Sequence, residues 1–178
     1  MKNIQIYKNH AYKIHQNEFA QSPNDWDDCD LFLVFEHSEF SVNRKGFYPK
    51  YIYENPEQYT DFYIFPVYAY IHSVVSLSLS NNTYPFNDRW DVSSTGFILV
   101  SKELRSDITE NIALEYAEKL IDEWNLYLAG DVYDVYLYNI KECTHCGNIE
   151  YEEIETTCEV YGYDNAVELA KEFINTLK

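Results

Sequence analysis

Apolar positions recur along the chain at two periods, and the change between them organises the sequence. Up to residue 100 the pattern is that of strands. Leu31-Phe32-Leu33-Val34-Phe35 is a short apolar run bounded by acids, and Phe62 to Ile71 is dense in aromatic and β-branched residues. Val74-Val75-Ser76-Leu77-Ser78-Leu79 ends in alternation. Asn81, Asn82 and Pro85 then predict a turn region, after which Gly96-Phe97-Ile98-Leu99-Val100 resumes the sheet. Pro66 has no N–H to give a ladder, so it predicts an edge position or a bulge. Val132 to Ile140 alternates Val and Tyr. Ile149 to Glu159 pairs with it across the Cys143–Asn148 turn as a hairpin.

Two segments carry the longer period of a helix. The first starts at Asp107, with Glu110 three residues on in the capping arrangement, and runs to about Ala129 with Gly130 as its stop. Its apolar face is Ile112, Tyr116, Leu120, Trp124 and Leu128, widened by Ala113, Ala117 and Ile121. The second, at about 164–177, draws its apolar content from Val167, Leu169, Ala170, Phe173, Ile174 and Leu177. Strands followed by helices, with a hairpin between the helices, predict an α+β fold with a mostly antiparallel sheet. No Gly/Ser-rich or Pro-rich linker interrupts the chain, so residues 1–178 read as a single domain.

Composition sharpens this picture through charge. The 178 residues carry 30 acids against 13 Lys and Arg, a formal net charge of -17, while 46% are hydrophobic. That apolar share builds a core and excludes a wholly disordered acidic tail. No stretch reaches the roughly 18 apolar residues of a membrane span and no leader-like segment opens the chain, which predicts a cytoplasmic protein. A surface this acidic repels phosphate, so direct nucleic-acid binding is not expected. The charge is uneven: residues 1–106 hold 13 acids and 9 bases, residues 107–178 hold 17 acids and 4 bases. Four cysteines are too few for a disulfide-stapled scaffold and predict reduced thiols.

The acidic side has definite members. Glu115, Glu118 and Asp122 fall opposite the apolar stripe of the first helix. Asp131 and Asp134 sit on the first strand of the hairpin, and Glu150, Glu152, Glu153, Glu155 and Glu159 on its second. Glu168 and Glu172 continue the series on the last helix. Carboxylates spaced a few ångströms apart can occupy a basic groove built for phosphates, with attraction that weakens in salt. The simpler alternative is a face that serves solubility. Tyr48, Tyr51, Tyr53 and Tyr59, expected in a loop between strands, offer contact area at low entropy cost.

Other candidates carry less. His72 with Ser73 and Asp91 suggests a hydrolytic triad, but no Gly-x-Ser-x-Gly elbow is present and adjacent strand residues point to opposite faces. A strand-end histidine bonded near a turn is the preferred reading. Cys143-Thr144-His145-Cys146-Gly147 has the spacing of half a zinc knuckle. Its other ligands would have to come from His145, Cys158 or the distant Cys29. Cys158 is expected at the far end of its strand, so a tight turn with two reduced thiols is preferred and no metal is assigned. Asp25, Asp27, Asp28 and Asp30 around Trp26 lack the glycine and glutamate of an EF-hand and read as a solvated loop. No phosphate-loop, dinucleotide or zinc-protease motif occurs, and with 5 glycines a phosphate cradle is hard to build. No cofactor is expected.

A series of short signatures runs in order through residues 20–165. Ser22-Pro23-Asn24-Asp25-Trp26-Asp27 precedes an apolar strand. Phe65-Pro66-Val67-Tyr68-Ala69-Tyr70-Ile71-His72-Ser73 follows, then Trp90-Asp91, Gly96-Phe97-Ile98 and Val100-Ser101-Lys102-Glu103. Tyr127-Leu128-Ala129-Gly130-Asp131-Val132-Tyr133 leads to Thr157-Cys158 and Tyr161-Gly162-Tyr163. Together they resemble an uncharacterised family of small proteins of phages, plasmids and other mobile elements. The chain departs from that pattern at Val74, where the family has glycine, and at Val92-Ser93, where it has Ser-Gly. The resemblance implies a genomic setting rather than a reaction. With the acidic side, it gives the expectation of a non-enzymatic accessory protein that blocks a host nucleic-acid-targeting defence protein, as anti-CRISPR and antirestriction proteins do. Its partner would present a basic nucleic-acid-binding surface, such as that of a CRISPR or restriction effector. The alternative is a small hydrolase or metal-dependent enzyme with a site around His72 and Asp91.

Overall fold

Backbone pairing follows the apolar runs closely in the computed structural model, which describes residues 4–25, 30–80 and 92–177. Among these residues the strands in chain order are β1 (Gln5–Tyr7), β2 (His10–Gln16), β3 (Leu31–Glu36), β4 (Ser41–Val42), β5 (Phe62–Ile71), β6 (Val75–Leu79), β7 (Val92–Ser101), β8 (Val132–Glu142) and β9 (Ile149–Tyr161). The helices are α1 (Pro49–Glu54), α2 (Glu110–Leu128) and α3 (Tyr163–Thr176). The fold is α+β, with two antiparallel sheets. The chain divides into two compact units, Ser22–Ala129 and Met1–Gln21 with Gly130–Lys178.

In the unit Ser22–Ala129 the sheet order is β4-β3-β7-β5-β6. β3 and residues 96–100 of β7 read as unbroken apolar runs because both faces are covered there, while the edge strand β6 alternates. One face carries Leu33, Phe35, Val67, Ala69, Leu77, Ile98 and Val100 against α2, which supplies Ala113, Ala117, Leu120, Ile121 and Trp124. The other carries Phe32, Val34, Phe97 and Leu99 against Ile52 of α1, with Phe47, Tyr59 and Phe62 at its margin. The aromatic rings of Phe32 and Phe47 meet edge to face at 4.8 Å.

Several expectations shift by small, explicable amounts. Helix α2 starts at Glu110 rather than Asp107, because the Thr109 hydroxyl accepts the N–H of Ile112 as the cap. Asp107 is occupied by both guanidinium donors of Arg105. The buried stripe is centred on Ala113, Ala117, Leu120, Ile121 and Trp124, leaving Ile112 and Tyr116 half-buried at its flank. The stop is where the sequence puts it: Gly130 takes φ +69°, a left-handed value that suits glycine. Pro66 lies in a strand paired on both sides, not at an edge. It is tolerated because β6 pairs only as far as Val67, and the Pro66 carbonyl accepts from Ser80 just beyond β6. A register shift follows at Val67/Ala69. Tyr48 precedes α1, Tyr51 and Tyr53 lie on it, and Tyr59 sits in a 3₁₀ turn, so the expected loop is largely helical.

In the second unit the order is β1-β2-β8-β9, with α3 packed on one face through Ala166, Ala170 and Ile174 against Tyr12, Val135 and Leu137. Residues 5–16 supply two strands that the expected elements did not include.

Candidate functional site

The acidic side resolves into two sets, one on each unit. Glu115, Glu118 and Asp122 are exposed on α2, as the helical spacing predicts. The larger set lies on the β8–β9 hairpin, whose strands of 11 and 13 residues differ in length because β9 carries two irregularities.

Those irregularities decide which way each carboxylate points. Strict alternation would put Glu150, Glu152 and Ile154 on one face and Glu153 and Glu155 on the other. Instead the register slips between Leu137↔Glu155 and Tyr138↔Glu153, leaving Ile154 between them. Leu137 belongs to the core under α3 and Ile154 joins it, so its partner Glu155, with Glu152 and Glu150, takes the α3 side of the sheet. Glu153 shares the opposite side with Tyr138 and Tyr151, whose rings meet edge to face at 6.4 Å. Glu150, Glu152, Glu153 and Glu155 are all exposed. Glu152 pairs with Lys141 at 2.7 Å, and that ammonium holds its carboxyl below the usual range. Glu153 accepts the Thr156 hydroxyl.

Asp134 has a different place. Its Oδ1 accepts the side-chain N–H of Asn17 at 3.0 Å and the backbone N–H of Glu159 at 3.1 Å. Glu159 sits at φ +59°, at the second irregularity, and its own carboxylate accepts the Gln21 N–H. Asp134 therefore pins a strained backbone position and is engaged within its unit. Beside it, burial and the Asp134 carboxylate push the Cys158 thiol up from its ordinary value. Asp131 is half-buried and bonds Tyr133.

The hairpin tip places Cys143 and Cys146 together. Cys143 and Asn148 close the loop through a 2.8 Å N–H···O bond, and the Gly147 N–H donates to the Cys143 carbonyl. Cys158 lies nine β8 positions back, beside Asp134, as its expected place at the far end of the strand implies. Cys29, Trp26 and two of the four clustered aspartates, Asp27 and Asp28, lie outside the described residues, as do Asp91 and the Asn81–Pro85 turn. Of that cluster, Asp25 accepts the Ser22 hydroxyl. His72 stands exposed just past the end of β5, its backbone N–H on Val74 and its ring stacked on Tyr70.

Two features had no sequence signal. A cavity of about 790 Å³ opens beside α1, with His37, Ser41, Lys50, Tyr53 and Phe97 in its wall. The edges of the five-stranded sheet are clamped by asparagines: Asn24 bonds the N–H and C=O of Leu33, and Asn125 those of Leu77. Within the Ser22–Asp27 signature it is Asn24 that thereby has a structural role.

No helix among the described residues is long and apolar enough to cross a membrane. No protein-family model, curated protein or solved structure matches the chain at a significant level.

Proposed function

We propose that this chain is a non-enzymatic accessory protein of a phage or mobile element. It binds and blocks a host nucleic-acid-targeting defence protein, of the anti-CRISPR or antirestriction kind, by presenting β9 to that protein's basic groove. One observation carries the reading: four exposed carboxylates, Glu150, Glu152, Glu153 and Glu155, lie within six residues of a strand that ends its sheet. Alternate residues on a strand stand about 6.6 Å apart, so Glu150 and Glu152 on the α3 side, with Glu155 past the bulge, offer charge at intervals comparable to a phosphate backbone, and Glu153 adds a carboxylate on the opposite side. Such a row draws a basic partner by steering and loses affinity as salt rises. It also keeps the terminal strand from pairing with other sheets, a service that charged side chains give any edge. Tyr151 and the half-buried Tyr136 add aromatic contact area beside Glu153. Glu115, Glu118 and Asp122 form a second, separate acidic set.

The test is capture from a bacterial lysate at low and high salt, with a quadruple variant Glu150→Lys, Glu152→Lys, Glu153→Lys, Glu155→Lys beside the natural chain. A nucleic-acid-binding effector retained at low salt, released at high salt and missed by the variant supports the reading. Capture that ignores both salt and the variant overturns it. An effector lost instead on reversing Glu115, Glu118 and Asp122 moves the contact to α2.

A further inference from the structure

The tip of the β8–β9 hairpin has the form of half a metal site. Cys143 and Cys146 stand two residues apart in a loop closed by the Cys143–Asn148 bond and by the Gly147 N–H on the Cys143 carbonyl. Gly147 follows at φ +70°, a left-handed value that suits glycine in the tight turn, and nothing lies within 4 Å of where its Cβ would be. The backbone N–H groups of His145 and Cys146 face the Cys143 sulfur. Both cysteines are reduced, and Cys146 is exposed.

A structural zinc site closes only with four ligands in a tetrahedron. Among the described residues no third His, Cys, Asp or Glu stands with these two to hold a metal. Cys158 is paired near Asp134, nine residues down β8 from the tip, a separation of roughly 30 Å at strand rise. Within the hairpin, then, the site is two ligands short. The tip is exposed from Thr144 to Asn148, so a second tip can approach it.

We propose that Cys143 and Cys146 of two copies of this chain bind one zinc ion between them as a tetrathiolate, joining the copies tip to tip. Zinc displaces a proton from each of the four thiols, so four protons leave per ion bound and no oxidant or reductant is involved. The loop contact is small, and the metal, rather than buried apolar area, supplies the association. Glu142 and Glu150 flank each tip, and like charges brought together repel, so salt strengthens this association. That is opposite to the salt dependence of the acidic-groove binding proposed above, and the two proposals stand or fall separately.

The experiment uses the full chain, reduced and stripped of metal, titrated with zinc chloride while its mass is followed by light scattering and its zinc content by elemental analysis. The expected result is a twofold rise in mass with one zinc per two chains, reversed by a chelator. Cobalt in place of zinc gives the visible bands of a tetrahedral all-sulfur site. Cys143→Ser and Cys146→Ser each abolish the rise, and Cys158→Ser leaves it intact. One zinc per chain with no change of mass, a doubling that survives Cys143→Ser, loss of the site in Cys29→Ser, or no zinc retained would each overturn the proposal. The stoichiometry of the natural chain decides the matter even if a variant folds poorly.

Discussion

The side-chain amide of Asn125 on α2 bonds both backbone groups of Leu77 on β6: its oxygen accepts the N–H at 2.7 Å and its nitrogen donates to the C=O at 3.0 Å. The amide thus stands in for the next strand of the sheet at the point where β6 ends it. Asn24 repeats the device on Leu33, on a stretch of β3 that β4, paired only with Phe35 and Glu36, does not reach. Asn125→Ala leaves two part-buried backbone groups without partners and is expected to cost about 2 kcal/mol in denaturant unfolding. Asn125→Asp keeps the acceptor for the Leu77 N–H but sets a carboxylate against the Leu77 carbonyl. It is expected to be at least as unstable near neutral pH and to recover on acidification.

Gly96 is the cross-strand partner of Phe35, and the phenyl ring lies where a Gly96 side chain would be. Both residues belong to the middle of the sheet, so neither can move aside cheaply. Gly96→Ala is expected to cost about 1–3 kcal/mol by overpacking. Phe35→Leu alone also destabilises, but in the Gly96→Ala chain it restores part of the loss. A double-mutant cycle by denaturation measures that coupling.

These relationships mark the limit of what the sequence discloses. The bounds of β5, the β8–β9 hairpin, the Gly130 stop and the exposure of Glu115, Glu118 and Asp122 follow from period and turn chemistry, which are local. Residues 5–16 are short and polar at alternate positions, and they become strands only because β2 pairs in register with β8 and β1 in turn with β2. The asparagine clamps join residues 9 and 48 positions apart, and an asparagine in a helix or a turn announces no such partner. At the candidate site the charge of β9 was plain. The slip at Ile154, which sends Glu153 and Glu155 to different faces, was not, because alternation carries no sign of where a strand will bulge. Asp134 looked like one more surface carboxylate and is instead a pin for Glu159.

Glu123 is half-buried beside Asp122, and burial raises its carboxyl above the ordinary 4.5, with Asp122 adding to the rise and Lys119 opposing it. The folded chain therefore holds this proton more tightly than the unfolded chain. The stability linked to it is fully present below the unfolded value and is lost as pH rises through the folded one. Glu123→Gln removes that loss. Its melting temperature is expected to exceed that of the natural chain near neutral pH and to converge with it in acid. A gap of constant size across the pH range would contradict the assignment.

Cys143 and Cys158 are shifted in opposite directions, the first down by backbone N–H groups and the second up by burial and Asp134. Alkylation proceeds through the thiolate. In the reduced, metal-free chain Cys143 is expected to react with iodoacetamide faster than Cys158, as read by peptide mass spectrometry over time. Equal rates would show that the loop N–H groups do not reach the sulfur.

The claim that β9 takes the place of a nucleic acid is tested most directly by competition. The captured effector is loaded with labelled nucleic acid and titrated with the natural chain, and release is followed by fluorescence anisotropy. The expected result is full displacement at low salt, weaker displacement as salt rises, and none by the chain carrying lysine at positions 150, 152, 153 and 155. A ternary complex in which the effector holds nucleic acid and this protein together, or displacement unchanged by those four substitutions, would contradict it.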